Sequence, residues 1–325
     1  MTVLVTGASG MLGRAVAEHL LAEGHEVRCF QRRPSGVPGA RDSLGSIEDT
    51  DAVDAAVNGC SAVIHLAAKV SFAGAPEDFE RVNVHGTSRL LDAAERAGVT
   101  DVVHVSSPSV AHSGSSLVGA PAGPADPAAA RGDYARTKAA AELVALGRST
   151  SSLRVSAVRP HLVWGPGDTQ LVERVMDRAR RRRLPLLDGG TALIDTTYVD
   201  NAASAITACL RRIDVAQGQA FVVSNGEPRP IAELLDGICR AGGVQPPAWS
   251  VPGALARGAG AVIERAWLAA RRTEEPPMTR FLAEQLSTAH WFDQRHSRDV
   301  LDWHPAVGLD EGFERLAAHY GHHGE

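Results

Sequence analysis

The chain of 325 residues has little cysteine: Cys29, Cys60, Cys209 and Cys239, none close enough to another for a C-x-x-C site. Zinc and iron–sulfur centres are not expected, so no metal site is assigned. A disulfide scaffold is unnecessary at this size, and reduced thiols point to a cytoplasmic location. No apolar run reaches the ~18 residues of a spanning helix. The N-terminus runs directly into MTVLVTG without a basic n-region, so a signal peptide is not expected. Positive charge is not in excess either. Lys+Arg number 33 against 38 Asp+Glu, a formal net charge of -5, which is a poor match to nucleic acid. With 44% apolar and 22% charged residues, the chain is an ordinary globular one and not a disordered one. At roughly 100–200 residues per domain, its length exceeds the needs of one nucleotide-binding domain.

What is present is an alternation of short apolar runs with helix-like stretches. Thr2–Thr6, His25–Phe30, Ala62–Leu66, Val102–Ser106 and Val155–Arg159 read as buried strands. Met11–Glu23, Thr50–Val57, Ser88–Ala97 and Tyr134–Leu146 read as helices. Continuous apolar strands separated by helices predict an α/β fold, a Rossmann-type doubly wound parallel sheet covered on both faces. Beyond about residue 160 the pattern loosens, although Phe221–Val223 looks like a returning strand. Residues 1–160, with returning segments about 195–224, are assigned to this doubly wound domain. Residues about 161–194 and 225–325 are assigned to a smaller, mostly helical substrate lobe. Gly119–Ala130, rich in Ala, Pro and Gly, reads as a surface loop, and Glu274–Pro277 as a chain break.

The first motif is Thr6-Gly7-Ala8-Ser9-Gly10-Met11-Leu12-Gly13, placed after a strand and before a helix. Gly7 permits the tight turn, Gly10 lets backbone approach a pyrophosphate, and Gly13 lets helix and strand pack closely. The helix N-terminus adds free N–H groups and a favourable dipole. The second strand ends Phe30-Gln31-Arg32-Arg33, where an NAD-selective fold carries an acid for the ribose 2′-hydroxyl. Arginine suits a 2′-phosphate, so NADP(H) is expected, with Arg32 and Arg33 as ligands.

The second motif is Tyr134-Ala135-Arg136-Thr137-Lys138. Four residues apart on a helix, Tyr134 and Lys138 share a face. A nearby ammonium lowers a phenol pKa, so Lys138 is expected to bring Tyr134 towards neutrality for proton transfer. Ser107 follows a strand and can orient the reacting oxygen; Ser106 and Ser109 are rivals for that part.

With these motifs the chain resembles the extended short-chain dehydrogenase/reductases. Within them it is similar to the 3β-hydroxysteroid dehydrogenase-like branch and to the bacterial 2-alkyl-3-oxoalkanoate reductases of olefin biosynthesis. The resemblance implies Ser107, Tyr134 and Lys138 as catalytic residues. It implies cofactor contacts at Gly7, Ser9, Gly10, Met11, Leu12, Gly13, Ile47, Leu66, Ala67, Ala68, Lys69, Asn83, Pro160, Leu162 and Val163, besides Arg32 and Arg33. Ser46 stands where the family usually has an Asp after Gly45. Further stretches carrying the resemblance are Ser107–Val110, Trp164–Asp168, Asp195–Ala203, Ser224–Pro228 and 275–282.

The implied activity is NADP(H)-dependent reduction of the 3-keto group of a long-chain 2-alkyl-3-oxo acid. The other readings are a 3β-hydroxysteroid dehydrogenase, a sugar-nucleotide epimerase or reductase, and a non-catalytic nucleotide-sensing module. The partner expected is a small lipid-like substrate; assembly with copies of itself or with pathway enzymes rests on analogy alone. Residues 253–272, apolar with flanking arginines, offer an interfacial membrane contact or a helix packed in the lobe.

Overall fold

A computed structural model describes residues 1–71, 74–111, 116–269 and 280–321. Seven strands form one parallel sheet: β1 (Thr2–Thr6), β2 (Glu26–Gln31), β3 (Arg41–Leu44), β4 (Ala62–His65), β5 (Asp101–Val105), β6 (Arg154–Pro160) and β7 (Ala220–Val223). Their order is β7-β6-β5-β4-β1-β2-β3. The order reverses on either side of β1, which lies between β2 and β4. In an open α/β sheet that switch point, at the strands' carboxyl ends, is where a ligand crevice opens.

The principal helices are α1 (Met11–Ala22), α2 (Thr50–Val57), α3 (Gly86–Arg96), α4 (Gly132–Gly147), α5 (Val172–Arg180), α6 (Val199–Arg211), α7 (Ile231–Ala241), α8 (Gly253–Ala269), α9 (Arg280–Ser287), α10 (Arg295–Leu301) and α11 (Leu309–Gly321). Two apolar layers explain the doubly wound form. Val16, Ala17 and Leu20 of α1 and Ala203, Ile206 and Leu210 of α6 bury against Val3, Val5, Ile64 and Val103. On the other face Val53, Leu90, Leu91 and Ala145 bury against Leu4, Val63, Val102 and Val155. Strand residues alternate between these layers, so the central strands are largely apolar on both faces, with His65, His104 and Arg159 among the buried polar exceptions. Local capping also acts: Asp49 accepts from the N–H groups of Asp51 (3.1 Å) and Ala52 (3.2 Å), starting α2.

A third cluster builds the lobe from Trp164, Met176, Leu234, Ile238 and Leu316. It includes a small sheet ordered Arg229–Pro230, Leu193–Ile194, His290–Phe292, Leu117–Ala120. Gly119 and Ala120 therefore belong to a strand, and the loop expected over 119–130 begins only after them. Pairing with His290–Phe292, distant in sequence, sets this strand, so a local reading misses it. Leu301 and Trp303 pack in the first sheet layer, although 225–325 was assigned to the lobe. β3 was not anticipated, because Arg41-Asp42-Ser43-Leu44 is a polar, mostly exposed edge strand without an apolar run. The chain break expected at 274–277 and the stretch 275–279 lie outside the described residues. Among the described residues no helix is long and apolar enough to cross a membrane.

Candidate active site

The glycine turn closes at the carboxyl end of β1. Gly7 has φ +78, and a Cβ there would lie 3.0 Å from the backbone nitrogen of Ala67. A Cβ on Gly13 would lie 2.4 Å from the Gly7 carbonyl oxygen, so only glycine lets α1 approach the turn this closely. Gly10 is the N-cap of α1 and makes no side-chain cap hydrogen bond. Ser9 and Gly10 are exposed, and Met11 and Leu12 are half-buried. The start of α1 thus offers N–H groups at an open edge, as a pyrophosphate requires. Arg32 and Arg33 are exposed just beyond β2, and neither guanidinium has an ion-pair or hydrogen-bond partner among the described residues. A dinucleotide fits this cradle.

A buried polar string ties the turn to α4, the helix that carries Tyr134 and Lys138. The Thr6 hydroxyl oxygen accepts from the N–H groups of Leu66 (3.1 Å) and Ala67 (3.0 Å). His65 Nδ1 lies 2.8 Å from that hydroxyl, and His65 Nε2 lies 3.0 Å from Thr87 Oγ1. Thr87 Oγ1 donates to the Asn83 carbonyl (2.6 Å), so it receives the His65 Nε2 proton and the Thr6 hydroxyl donates to Nδ1. Asn83 Oδ1 accepts from the Lys69 N–H (2.7 Å), while Asn83 Nδ2 donates to Thr137 Oγ1 (3.0 Å). Burial holds His65 neutral, pushing its pKa down to about 3, and the Lys138 charge adds to this. The network fixes the loop 66–69 beside Gly7 and ends one residue from Lys138. Asn83 is fully buried, so its side chain acts on the loop and on Thr137.

The other expected contacts spread along the same edge. Leu66, Ala67 and Ala68 are half-buried beyond β4. The Lys69 ammonium pairs with Asp78 (2.9 Å) and sits over the Phe79 ring, 4.9 Å from its centroid. Ile47 is buried in the sheet layer, where a Cβ on Gly86 would meet its side chain at 3.0 Å. The Ser46 hydroxyl accepts from the Glu48 N–H (3.3 Å), so Ser46 braces its own turn. Pro160 ends β6. Leu162 takes φ +43, a left-handed conformation rare for a branched residue, as the chain bends towards Val163. His161 is buried, edge-on to Phe292 at 5.0 Å.

Tyr134 and Ser107 are neighbours: the Ser107 hydroxyl is close enough to the phenol to favour its ionised form. Ser107 also lies 2.9 Å from Ser109 Oγ, while Ser106 is buried and donates its N–H to Val158 (2.7 Å). Ser107 is therefore the serine at the tyrosine, with Ser109 behind it. The expected depression of the Tyr134 pKa by Lys138 is not what the geometry gives. Burial raises the phenol above its usual range, and the neighbouring Ser107 hydroxyl only partly offsets this. The reason is the lysine's own placement. Its ammonium donates to the Val105 carbonyl (2.6 Å), and burial pushes Lys138 down to about 8, with Glu142 acting the other way. Glu142 is itself committed to a fully buried pair with Arg159, at 2.9 Å from the guanidinium Nε. Lys69 and Lys138 are the only lysines of the chain. The resemblance places His65 in the stretch beside the cofactor, but sequence reasoning missed His104; a histidine inside an otherwise apolar strand was the available signal. A separate cavity of about 550 Å³ between α8 and α9 is lined by Asp188, Arg257 and Glu284 among others, and not by Tyr134 or Ser107.

The fold, the glycine turn at the switch point and the serine–tyrosine–lysine set define an enzyme of the extended short-chain dehydrogenase/reductase type. The chain belongs to the NAD dependent epimerase/dehydratase family, whose pattern matches residues 3–224. It is 38% identical to a 2-alkyl-3-oxoalkanoate reductase of Stenotrophomonas maltophilia, over 98% of this chain and 99% of that one. It is 28% identical to a 3-beta-hydroxysteroid dehydrogenase of Mycolicibacterium neoaurum, over 98% of this chain and 91% of the relative. The solved structure of MoeE5 in complex with UDP-glucose and NAD superposes with a TM-score of 0.75 at 25% identity, covering both chains fully. The chain is thus a nicotinamide-dependent oxidoreductase.

Proposed function

We propose that the protein reduces the 3-keto group of a long-chain 2-alkyl-3-oxoalkanoate to the 3-hydroxy acid, using NADPH. The observation that carries this is the placement of Ser107 beside Tyr134, with Lys138 buried one helical turn further along α4. Similarity along nearly the whole chain to a reductase of that name supports this substrate class over a sterol or a sugar nucleotide. An intact proton-transfer set speaks against a purely nucleotide-sensing module.

When bound, the dinucleotide supplies a hydride to the carbonyl carbon. The turn residues Gly7, Ser9, Gly10, Met11, Leu12 and Gly13 hold its pyrophosphate, and Arg32 and Arg33 its 2′-phosphate. Ile47 borders the adenine, and Leu66, Ala67, Ala68, Lys69, Pro160, Leu162 and Val163 border the rest. Tyr134 donates its phenolic proton to the ketone oxygen as negative charge develops there. A phenol held above its usual range is fully protonated at neutral pH, as a general acid must be. Ser107 donates a hydrogen bond to the same oxygen and fixes its position. Lys138 binds the nicotinamide-side ribose. Asn83 positions the loop that carries Lys69. Residues about 161–194 and 225 onward cover the substrate.

NADPH oxidation followed spectrophotometrically with a 2-alkyl-3-oxo acid, beside NADP-linked oxidation of a 3β-hydroxysterol, separates the readings. Turnover of the oxo acid is expected; turnover of the sterol alone overturns the proposal.

A lipid-like substrate also gives meaning to α8. Its Leu255 and Val262 are each 65% exposed, with Arg265 on the same side. We assign this face to peripheral contact with an anionic lipid surface. The protein should sediment with phosphatidylglycerol vesicles, and Leu255→Ser with Val262→Ser should release it. A wild-type protein that stays in the supernatant removes the membrane contact.

A further inference from the structure

Lys138 has a second polar neighbour. Its Nζ lies 3.4 Å from Nε2 of His104, in addition to the 2.6 Å hydrogen bond to the Val105 carbonyl. His104 sits on β5, only 1% exposed, with its ring centroid 5.4 Å from that of His65. His104 Nδ1 has no hydrogen-bond partner among the described residues, so Lys138 is the one polar contact of this ring there.

We propose that His104 is a positioning residue for Lys138: its Nε2 lone pair accepts one ammonium proton, aims the remaining N–H at the ribose, and keeps the lysine charged. The proposal rests on the part assigned to Lys138 above. An ammonium has three donors and no acceptor, so the contact requires an unprotonated Nε2. The surroundings enforce that state. Burial, then the Lys138 charge, then His65 hold His104 well below the ordinary imidazole range. A protonated His104 would set like charges 3.4 Å apart in a buried site.

The other groups facing Lys138 cannot do this work. Glu142, on the same helix, favours the ammonium but is held by Arg159. Tyr134, also on α4, is neutral in the working range, and His65 on β4 is neutral and engaged by Thr6 and Thr87. Among the described residues, the Val105 carbonyl and His104 Nε2 are the two acceptors that fix the ammonium. They leave one proton for the site. With Tyr134 raised and Lys138 at about 8, the lysine is the first of the two to deprotonate as pH rises. It therefore sets the alkaline fall of kcat. Removing an acceptor of the charged form lowers that pKa.

Because the chain has only Lys69 and Lys138, ¹³C-labelled lysine gives two side-chain signals, assigned with Lys69→Arg. The Lys138 signal is titrated in the wild type, His104→Phe and His104→Gln, with the pH profile of kcat measured alongside. The wild-type midpoint is expected at about 8. His104→Phe should lower the midpoint by about one pH unit, a tenfold change in proton affinity, and carry the alkaline fall of kcat with it. His104→Gln, whose amide oxygen accepts, should restore most of both. If His104→Phe does not fold, His104→Leu serves as the acceptor-free variant. An unchanged Lys138 midpoint in the acceptor-free variant overturns the proposal, as does an equal change in the Gln variant. A moved Lys138 midpoint with an unmoved kcat profile upholds the place of His104 and instead defeats the reading of Lys138 as the group that limits turnover.

Discussion

Tyr134→Phe is expected to bind NADPH within about twofold of wild type and to lose ~100-fold to ~10,000-fold in kcat, the range for removing a general acid. The substitution deletes one oxygen from a half-buried ring, so packing changes little. What goes is the only phenolic proton at Ser107, and with it the group that neutralises the forming alkoxide. Ser107 still offers a hydrogen bond but cannot surrender a proton at neutral pH. Single-turnover kinetics with premixed NADPH would check this, since they isolate the chemical step from binding. A variant retaining full turnover removes Tyr134 from its role.

Arg32→Ala combined with Arg33→Ala should weaken NADPH by about 100-fold and NADH by less than about threefold. Each charge-assisted hydrogen bond contributes roughly 2 kcal/mol, reduced at exposed side chains by water and salt. The two guanidiniums are exposed and unpaired among the described residues, so they need break nothing to reach a phosphate. Loss of affinity should shrink at high ionic strength, as a charge contact must. Fluorescence titration of both cofactors at two salt concentrations measures it. Equal weakening of the two would sink the 2′-phosphate assignment.

The sheet, the glycine turn and the Tyr134–Lys138 spacing were legible because each is written locally. An apolar strand, a tight turn and a helical face need only a few neighbouring residues to declare themselves. β3 was hidden for the converse reason, since its edge position lets Arg41 and Asp42 replace an apolar run. The strand at Leu117–Ala120 depends on His290–Phe292, a pairing no local pattern announces. The expectation that Lys138 lowers the Tyr134 pKa failed for a physical reason. Spacing places two side chains on one face, but the Val105 carbonyl decides where the charge points, and burial decides how strongly the phenol feels it. The string from Thr6 through His65 and Asn83 to Thr137 was equally invisible, because it joins residues from four separate stretches of chain.

The scarcity of lysine has a practical side. Among 33 basic residues only Lys69 and Lys138 carry a side-chain amine, and both belong to the proposed cofactor site. Reagents that acylate or cross-link amines will find little else on this molecule apart from the N-terminus. Amine coupling to a support, harmless to proteins studded with surface lysines, is here left with the N-terminus and the half-buried Lys69, since Lys138 is buried. Attachment through the plentiful carboxylates would leave the amines at the site untouched.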